Sequence, residues 1–139
     1  MVDRVDEELF CMERVGAPKP ARTSEWSPPI VPILKRNGQI QICGDFKVTV
    51  NAVTVPEHYA IPRVEDLFVR QSRGEKFSKL DLKDAYLQVE LDEAASKLLP
   101  INRPRWLYQY TRLPCGVTSA PSVFQQEMDN LMQGRGSIL

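Results

Sequence analysis

With 139 residues, 42% hydrophobic and 26% charged, the chain has the composition of one globular domain and is too short for two comfortable ones. Its 18 basic and 18 acidic residues cancel, which argues against a freestanding nucleic-acid binder that works on bulk charge. The 11 prolines are dispersed and punctuate the chain into short elements rather than marking one disordered tail.

Val2, Val5, Leu9 and Met12 recur at helical spacing with acids between them, so the first element reads as a helix stopped by Gly16 and Pro18. A proline-rich loop follows, through Pro20, Pro28 and Pro29. Apolar Ile30 to Leu34 and alternating Gln39 to Ile42 flank Asn37-Gly38, a dipeptide that tolerates positive φ, and together they predict a hairpin. Val53 to Pro62 reads as extended. A second helix begins near Pro62, with Val64, Leu67 and Phe68 on one face and Gly74 at its end. Phe77 to Leu82 reads as a short strand, Asp84 to Leu87 as one helical turn and Asp92 to Leu98 as another. Leu107 to Leu113 alternates and predicts a strand. Ser119-Ala120-Pro121 opens a last helix with an apolar stripe at Val123, Phe124, Met128 and Leu131, closed by Gly134 and Gly136. The order of elements is α+β, with no internal repeat, and the strand set looks unfinished toward the C-terminus.

The charge is uneven. Acids lead the chain, while Arg70, Arg73, Lys76, Lys79, Lys83 and then Arg103, Arg105 and Arg112 gather later, so a local basic face stands beside the plainer reading of a mixed solvated surface. Three dispersed cysteines, no Cys-x-x-Cys and a single histidine, His58, speak against structural zinc and suit a reducing, intracellular compartment, cytoplasmic or nuclear. No leader is expected before the acidic start, and no apolar run approaches the roughly 20 residues of a membrane span.

The chemistry lies in Phe77-Ser78-Lys79-Leu80-Asp81-Leu82-Lys83-Asp84-Ala85-Tyr86-Leu87. A carboxylate between two leucines is costly to bury unpaired, so Asp81 faces water, pairs with a cation, caps a strand end or binds a metal. Oxygen ligands of this kind suit magnesium, which takes one or two carboxylates and fills its shell with water and substrate phosphates.

This run resembles the first carboxylate motif of reverse transcriptases, in particular those of gypsy-type LTR retrotransposons. Further segments resemble the same family in order and spacing over about residues 5 to 134: Ser24-Glu25-Trp26-Ser27-Pro28-Pro29, Lys35-Arg36-Asn37-Gly38, Ile42-Cys43-Gly44-Asp45-Phe46-Lys47 with Val50-Asn51, Tyr59-Ala60-Ile61-Pro62-Arg63, and Tyr108 to Val117 followed by Ser119-Ala120-Pro121 and Phe124-Gln125. The resemblance implies a partial right-hand polymerase fold: an N-terminal helix and loop over 1–22, a fingers-like hairpin and helix over 23–74, and a partial palm over 75–139. It implies that Asp81 is the catalytic, magnesium-binding carboxylate. Leu82 would offer a backbone group to the incoming triphosphate, and Lys35 or Arg36 would reach its oxygens from the fingertip. Tyr86 would lie under the sugar and exclude a 2′-hydroxyl, the group that separates ribonucleotides from deoxyribonucleotides. Gly116 would belong to the floor of the site. Read without the family, Tyr86 is a core aromatic, and Lys35 and Arg36 are solvated charges beside a turn. Asp84 reads as a surface or capping residue.

The sequence departs from the pattern. Gln41 replaces an arginine that contacts triphosphate, and Cys115 replaces a bulkier or amide side chain. Pro100 interrupts the stretch from Lys97 to Asn102, and Arg103-Pro104-Arg105-Trp106 replaces a threonine- and glycine-containing turn. There is no adjacent aspartate pair of the Tyr-x-Asp-Asp type, and two-metal transfer needs carboxylates on both ions, about 3.5–4 Å apart. The expectation is therefore a fragment of an RNA-directed DNA polymerase, inactive on its own and short of the remaining palm, thumb and RNase H segments. Its family partners are an RNA or DNA template-primer and dNTP. The alternative is a non-enzymatic retrotransposon remnant acting at most as a nucleic-acid or protein interaction module.

Overall fold

The computed structural model describes residues 2–55, 59–104 and 106–132. Helix α1 spans Val2–Arg14 and buries Val5, Leu9 and Met12, the stripe that its spacing predicts. Gly16, at φ 76°, turns the chain out of α1 into a short strand β1, Pro18–Pro20. The proline-rich loop expected here is thus partly a strand. Proline survives in it because β1 is an edge strand, and its flanks carry the ladder: Ala21 N–H donates to Leu107 O at 2.9 Å and Thr111 N–H to Ala17 O at 2.8 Å.

Strands β2, Ile30–Leu34, and β3, Ile40–Gly44, form the hairpin that Asn37-Gly38 foretells, with Gly38 at φ 81° and Asn37 Oδ1 accepting from Gln39 N–H. A turn through Phe46 leads to α2, Val50–Val53, and then to α3, Val64–Gln71. The extended reading of Val53 to Pro62 gives way to α2 at Val53, and its 56–58 portion lies outside the described residues. Helix α3 buries none of its residues, and Val64, Phe68 and Val69 stay exposed.

Residues 77–82 do not form the expected strand. Nothing among the described residues pairs with them, and Leu80 is 83% exposed. A strand needs a neighbour to satisfy its backbone groups, so apolar alternation alone does not make one. The turn expected at Asp84 to Leu87 is a 3₁₀ turn over Ala85–Gln88, and the next is helix α4, Glu93–Lys97, capped by Asp92, whose Oδ1 accepts from Ala95 N–H at 2.7 Å. Strands β4, Pro100–Arg103, and β5, Trp106–Tyr110, follow, with Pro100 tolerated at the strand start. Helix α5 runs Ala120–Met132. Its closure by Gly134 and Gly136 lies outside the described residues, as does Arg105 in the turn that departs from the family.

The sheets are antiparallel, one in the order β1-β5-β4 and the other the β2-β3 pair. Asn102 N–H donates to Pro28 O at 2.8 Å and joins them at one edge. Their shared core holds Val5, Leu9, Ile40, Ile42, Phe46, Leu99, Ile101 and Leu113 around Tyr110, which is 0% exposed and whose hydroxyl donates to Ile42 O at 3.3 Å across the sheets. Burial pushes that hydroxyl's pKa up from its usual 10.0. Among α5 side chains, Val123 packs on the core, Phe124 and Met128 are half-buried and Leu131 is exposed, so the apolar stripe is more covered than its sequence suggests.

Candidate active site

Asp84 sets the local geometry. It has a left-handed backbone (φ 48°, ψ 48°) and is the only non-glycine residue with positive φ among those described. Aspartate tolerates this region better than most residues, at a cost of about 1 kcal/mol or more. The bend separates residues 80–83 from the Ala85–Gln88 turn. Asp84 occupies the position before that turn but its side chain makes no capping bond.

Downstream, the segment is tied to the β5 exit. Leu91 N–H donates to Thr111 O and Leu113 N–H to Val89 O, both at 2.9 Å, and the Arg112 guanidinium pairs with Glu90 at 3.0 Å. That clamp fixes Tyr86, whose half-buried ring meets Phe124 of α5 edge-on at 5.5 Å between centroids.

Two cavities adjoin here and share Ala85 in their walls. One, of about 270 Å³, is lined by Asp81 and Leu82 together with Phe124, Gln125 and Asp129 of α5. The other, of about 280 Å³, is lined by Tyr86, Lys35, Gln41, Asp84 and Cys115. Four of the residues singled out from sequence therefore fall into two neighbouring hollows. Arg36 stands exposed on the hairpin turn and lines neither, and Gly116 lies next to Cys115 without lining either. A larger hollow, about 560 Å³ between Trp26, Lys97 and Gln109, contains none of them.

Gly116 is required by its surroundings. Its φ is 102°, and a Cβ added there would overlap the carbonyl oxygen of Gly44 at the end of β3. Asn51 holds the same loop from the other side: its Nδ2 donates to Gly116 O at 2.8 Å and its Oδ1 accepts from Thr118 N–H at 2.9 Å. Asn51 is a positioning residue that the motif contained but that local sequence gave no reason to single out. Its partners lie 65 and 67 residues away.

The two departures from the family motif meet in space. Gln41 Nε2 donates to Cys115 Sγ at 2.6 Å and contacts Cys43 Sγ at 3.8 Å. The Cys43 thiol donates to the Cys115 sulfur, and this bond, reinforced by Gln41 and the charge of Lys35, lowers the Cys115 pKa to about 6 against the opposing effect of burial. Cys43 moves the other way, up, through the same bond and its burial.

Asp81 is exposed and makes no hydrogen bond or ion pair with the described residues, so its oxygens are free to bind a cation. Asp129, across the same cavity, is engaged: Tyr59 Oη donates to one oxygen at 2.6 Å and Gln125 Nε2 to the other at 2.9 Å, and the carboxylate pushes the Tyr59 hydroxyl pKa up. No group of three or more His, Cys, Asp or Glu that could hold a metal occurs among the described residues. One open carboxylate suits a hard cation that keeps water and phosphate as its other ligands, and it supplies a single protein ligand.

The fold is that of part of a right-hand polymerase, as two solved structures show. The chain superposes on the prototype foamy virus protease-reverse transcriptase with a TM-score of 0.78, at 18% identity, covering 98% of this chain and 18% of that one. A foamy viral protease-reverse transcriptase solved with double-stranded DNA gives 0.72, at 17% identity over 88% of this chain and 21% of that one. Sequence defines the family: residues 33–135 match the reverse transcriptase (RNA-dependent DNA polymerase) model, and the chain belongs to that family. It is 42% identical over 135 residues to the Caenorhabditis elegans protein K02A2.6, and 25% identical over 114 residues to the retrovirus-related Pol polyprotein from transposon 297 of Drosophila melanogaster. These matches cover 96% and 82% of this chain, which spans 11% of the length of each relative. The family implies a divalent metal cofactor. No described helix is long and apolar enough to cross a membrane.

Proposed function

We propose that this chain supplies the nucleotide-facing part of an RNA-directed DNA polymerase site of retrotransposon origin, of the gypsy type, working on a template-primer and a deoxynucleoside triphosphate inside the cell. The observation that carries the reading is the adjacency of the two cavities through Ala85, with Asp81 and Leu82 in one and Lys35 and Tyr86 in the other. In this reading residues 1–22 brace the site, 23–74 act as fingers and 75–139 as part of the palm.

Each group has a role that follows from its chemistry. Asp81 would hold magnesium, which when bound neutralises phosphate charge during transfer. Lys35, on the exposed hairpin, provides a mobile cation for triphosphate oxygens, and Arg36 is its neighbour for the outer phosphates. Leu82 presents backbone next to Asp81. Tyr86, held by Phe124, would offer a ring face beneath a sugar, where its bulk would exclude a 2′-hydroxyl. Gly116 would lie under the floor, where the lack of a side chain lets its loop pack against the Gly44 carbonyl oxygen at the end of β3. Gln41 cannot replace the charge of an arginine, so triphosphate binding rests on Lys35 and the metal.

Carboxylates on both ions are needed for transfer, and this sequence has no adjacent aspartate pair to add to Asp81. The chain alone is therefore expected to bind a deoxynucleoside triphosphate weakly in the presence of magnesium and not to extend a primer. Binding measured by equilibrium dialysis should fall several-fold in Asp81→Asn and in Lys35→Ala. Binding indifferent to both substitutions refutes the site, and primer extension by the chain alone, abolished by Asp81→Asn, refutes its incompleteness.

A further inference from the structure

The contact between Cys43 and Cys115 joins the body of β3 to a loop 72 positions on in the chain, and no role in the nucleotide reading uses it. Both sulfurs lie within 3.8 Å of one amide nitrogen, Gln41 Nε2. One residue further on in each segment, Gly44 and Gly116 are so close that a Cβ on the second would overlap the carbonyl oxygen of the first. The segments that carry the two cysteines thus run against each other, and a disulfide needs such close approach. The surroundings also divide the labour. Cys43 is buried, whereas Cys115 is half-exposed and lines the 280 Å³ cavity.

We infer that Cys43 and Cys115 form a peroxide-sensitive dithiol in the wall of the Lys35–Tyr86 cavity, oxidised to an intramolecular disulfide that withdraws the Cys115 sulfur from Gln41. The inference rests on the position of the sulfurs and not on the nucleotide reading. The Cys115 thiolate attacks hydrogen peroxide, forming an S–O bond, breaking the O–O bond and leaving hydroxide, which takes up a proton to become water. The Cys43 sulfur then attacks the sulfenic acid, forming the S–S bond. Its thiol proton leaves with the sulfenic oxygen as a second water. Two thiols lose two electrons in all, and one peroxide gains them.

The environment favours Cys115 as the attacking group. The Cys43 and Gln41 hydrogen bonds and the Lys35 charge favour its thiolate, and Asp84 opposes it. Glu8 is the further acid in the cavity wall, and the buried Tyr110 hydroxyl faces both sulfurs from β5. Thiolate character and access are what select a cysteine for oxidation, and Cys11, exposed on α1, serves as an internal reference.

The 139-residue chain treated with dilute hydrogen peroxide, blocked with N-ethylmaleimide and digested without reductant should yield one cross-linked peptide pair, Cys43 with Cys115, reversed by dithiothreitol. Cys11 should stay alkylated. Before oxidation, iodoacetamide should modify Cys115 about tenfold faster than Cys11 at pH 7, with the rate falling as pH drops through about 6. In Cys43→Ser, peroxide should carry Cys115 to sulfenic and sulfinic acid with no cross-link. In Cys115→Ser, Cys43 should stay reduced. Full alkylation of all three cysteines after peroxide overturns the inference. So does a Cys43–Cys115 cross-link that forms as readily in guanidinium chloride, because it would then owe nothing to the fold. Absence of nucleotide binding in the reduced chain, with the cross-link still forming on peroxide, would refute the nucleotide reading and leave the dithiol standing.

Discussion

Replacing Gly116 with alanine separates the cost of a backbone conformation from the cost of a collision. Gly38 and Gly116 both have positive φ, 81° and 102°, so alanine is strained at either, by about 1–3 kcal/mol. Around Gly38 an added Cβ meets nothing within 4 Å, whereas at Gly116 it would overlap the Gly44 carbonyl oxygen. Forcing extra volume into a packed site adds about 1–3 kcal/mol. Gly116→Ala should therefore cost roughly 2–6 kcal/mol and Gly38→Ala no more than about 1–3 kcal/mol. The entropy that alanine removes from the unfolded chain is common to both and cancels in the difference. Urea titration followed by circular dichroism measures the pair, and each kcal/mol should appear as about 4 °C in the melting temperature. Against a total stability of about 5–15 kcal/mol, the Gly116 variant approaches unfolding. Equal destabilisation of the two variants would refute the contact between the Gly116 loop and β3.

Three further outcomes are expected. Asn51→Ala removes the two bonds that hold the 116–118 loop and should cost about 1–2 kcal/mol in urea titration, with faster amide exchange at Thr118; unchanged exchange there would contradict the clamp. Asp92→Ala removes the α4 cap and should cost about 0.5–2 kcal/mol by the same titration, whereas Asp92→Asn, which keeps an acceptor, should cost much less. The Tyr110 pKa is raised in the folded state, so its contribution is complete below the usual 10.0 and is lost as pH rises beyond it. Stability should fall on the alkaline side of pH 10 and Tyr110→Phe should flatten that fall, a difference absent if the hydroxyl is hydrated.

Local signals in the sequence were faithful wherever neighbouring residues decide the structure. The hairpin, the α1 stripe, the start of α4 at Asp92 and the opening of α5 follow from dipeptides and spacings within a few positions. Residues 18–20 were not legible, because their strand exists only through β5, and prolines advertise a loop. The reverse error arose at Phe77 to Leu82, where alternation promised a strand and no neighbour among the described residues completes one. The candidate site divides in the same way. Asp81, Tyr86, Lys35 and Leu82 are visible as motif members, but their division between two cavities depends on the left-handed turn at Asp84. Gln41 and Cys115 read separately as departures, and only the fold shows that they touch.

The match to the family begins at residue 33, yet α1 and the turn into β1 lie before it and supply Val5, Leu9, Met12 and Ala17 to the core. A boundary drawn at the start of the match would cut through a sheet. Excising 33–135 would strip β5 of its β1 partner and bare one edge of the strand that carries Tyr110. An open strand edge of this kind recruits other chains, and such an excised piece is expected to aggregate however well its motifs are preserved. For the ribosome, the same connection imposes a wait: the first strand of the sheet is made early and gains its strand partner only when the fifth emerges, so the two ends of the sheet are joined late.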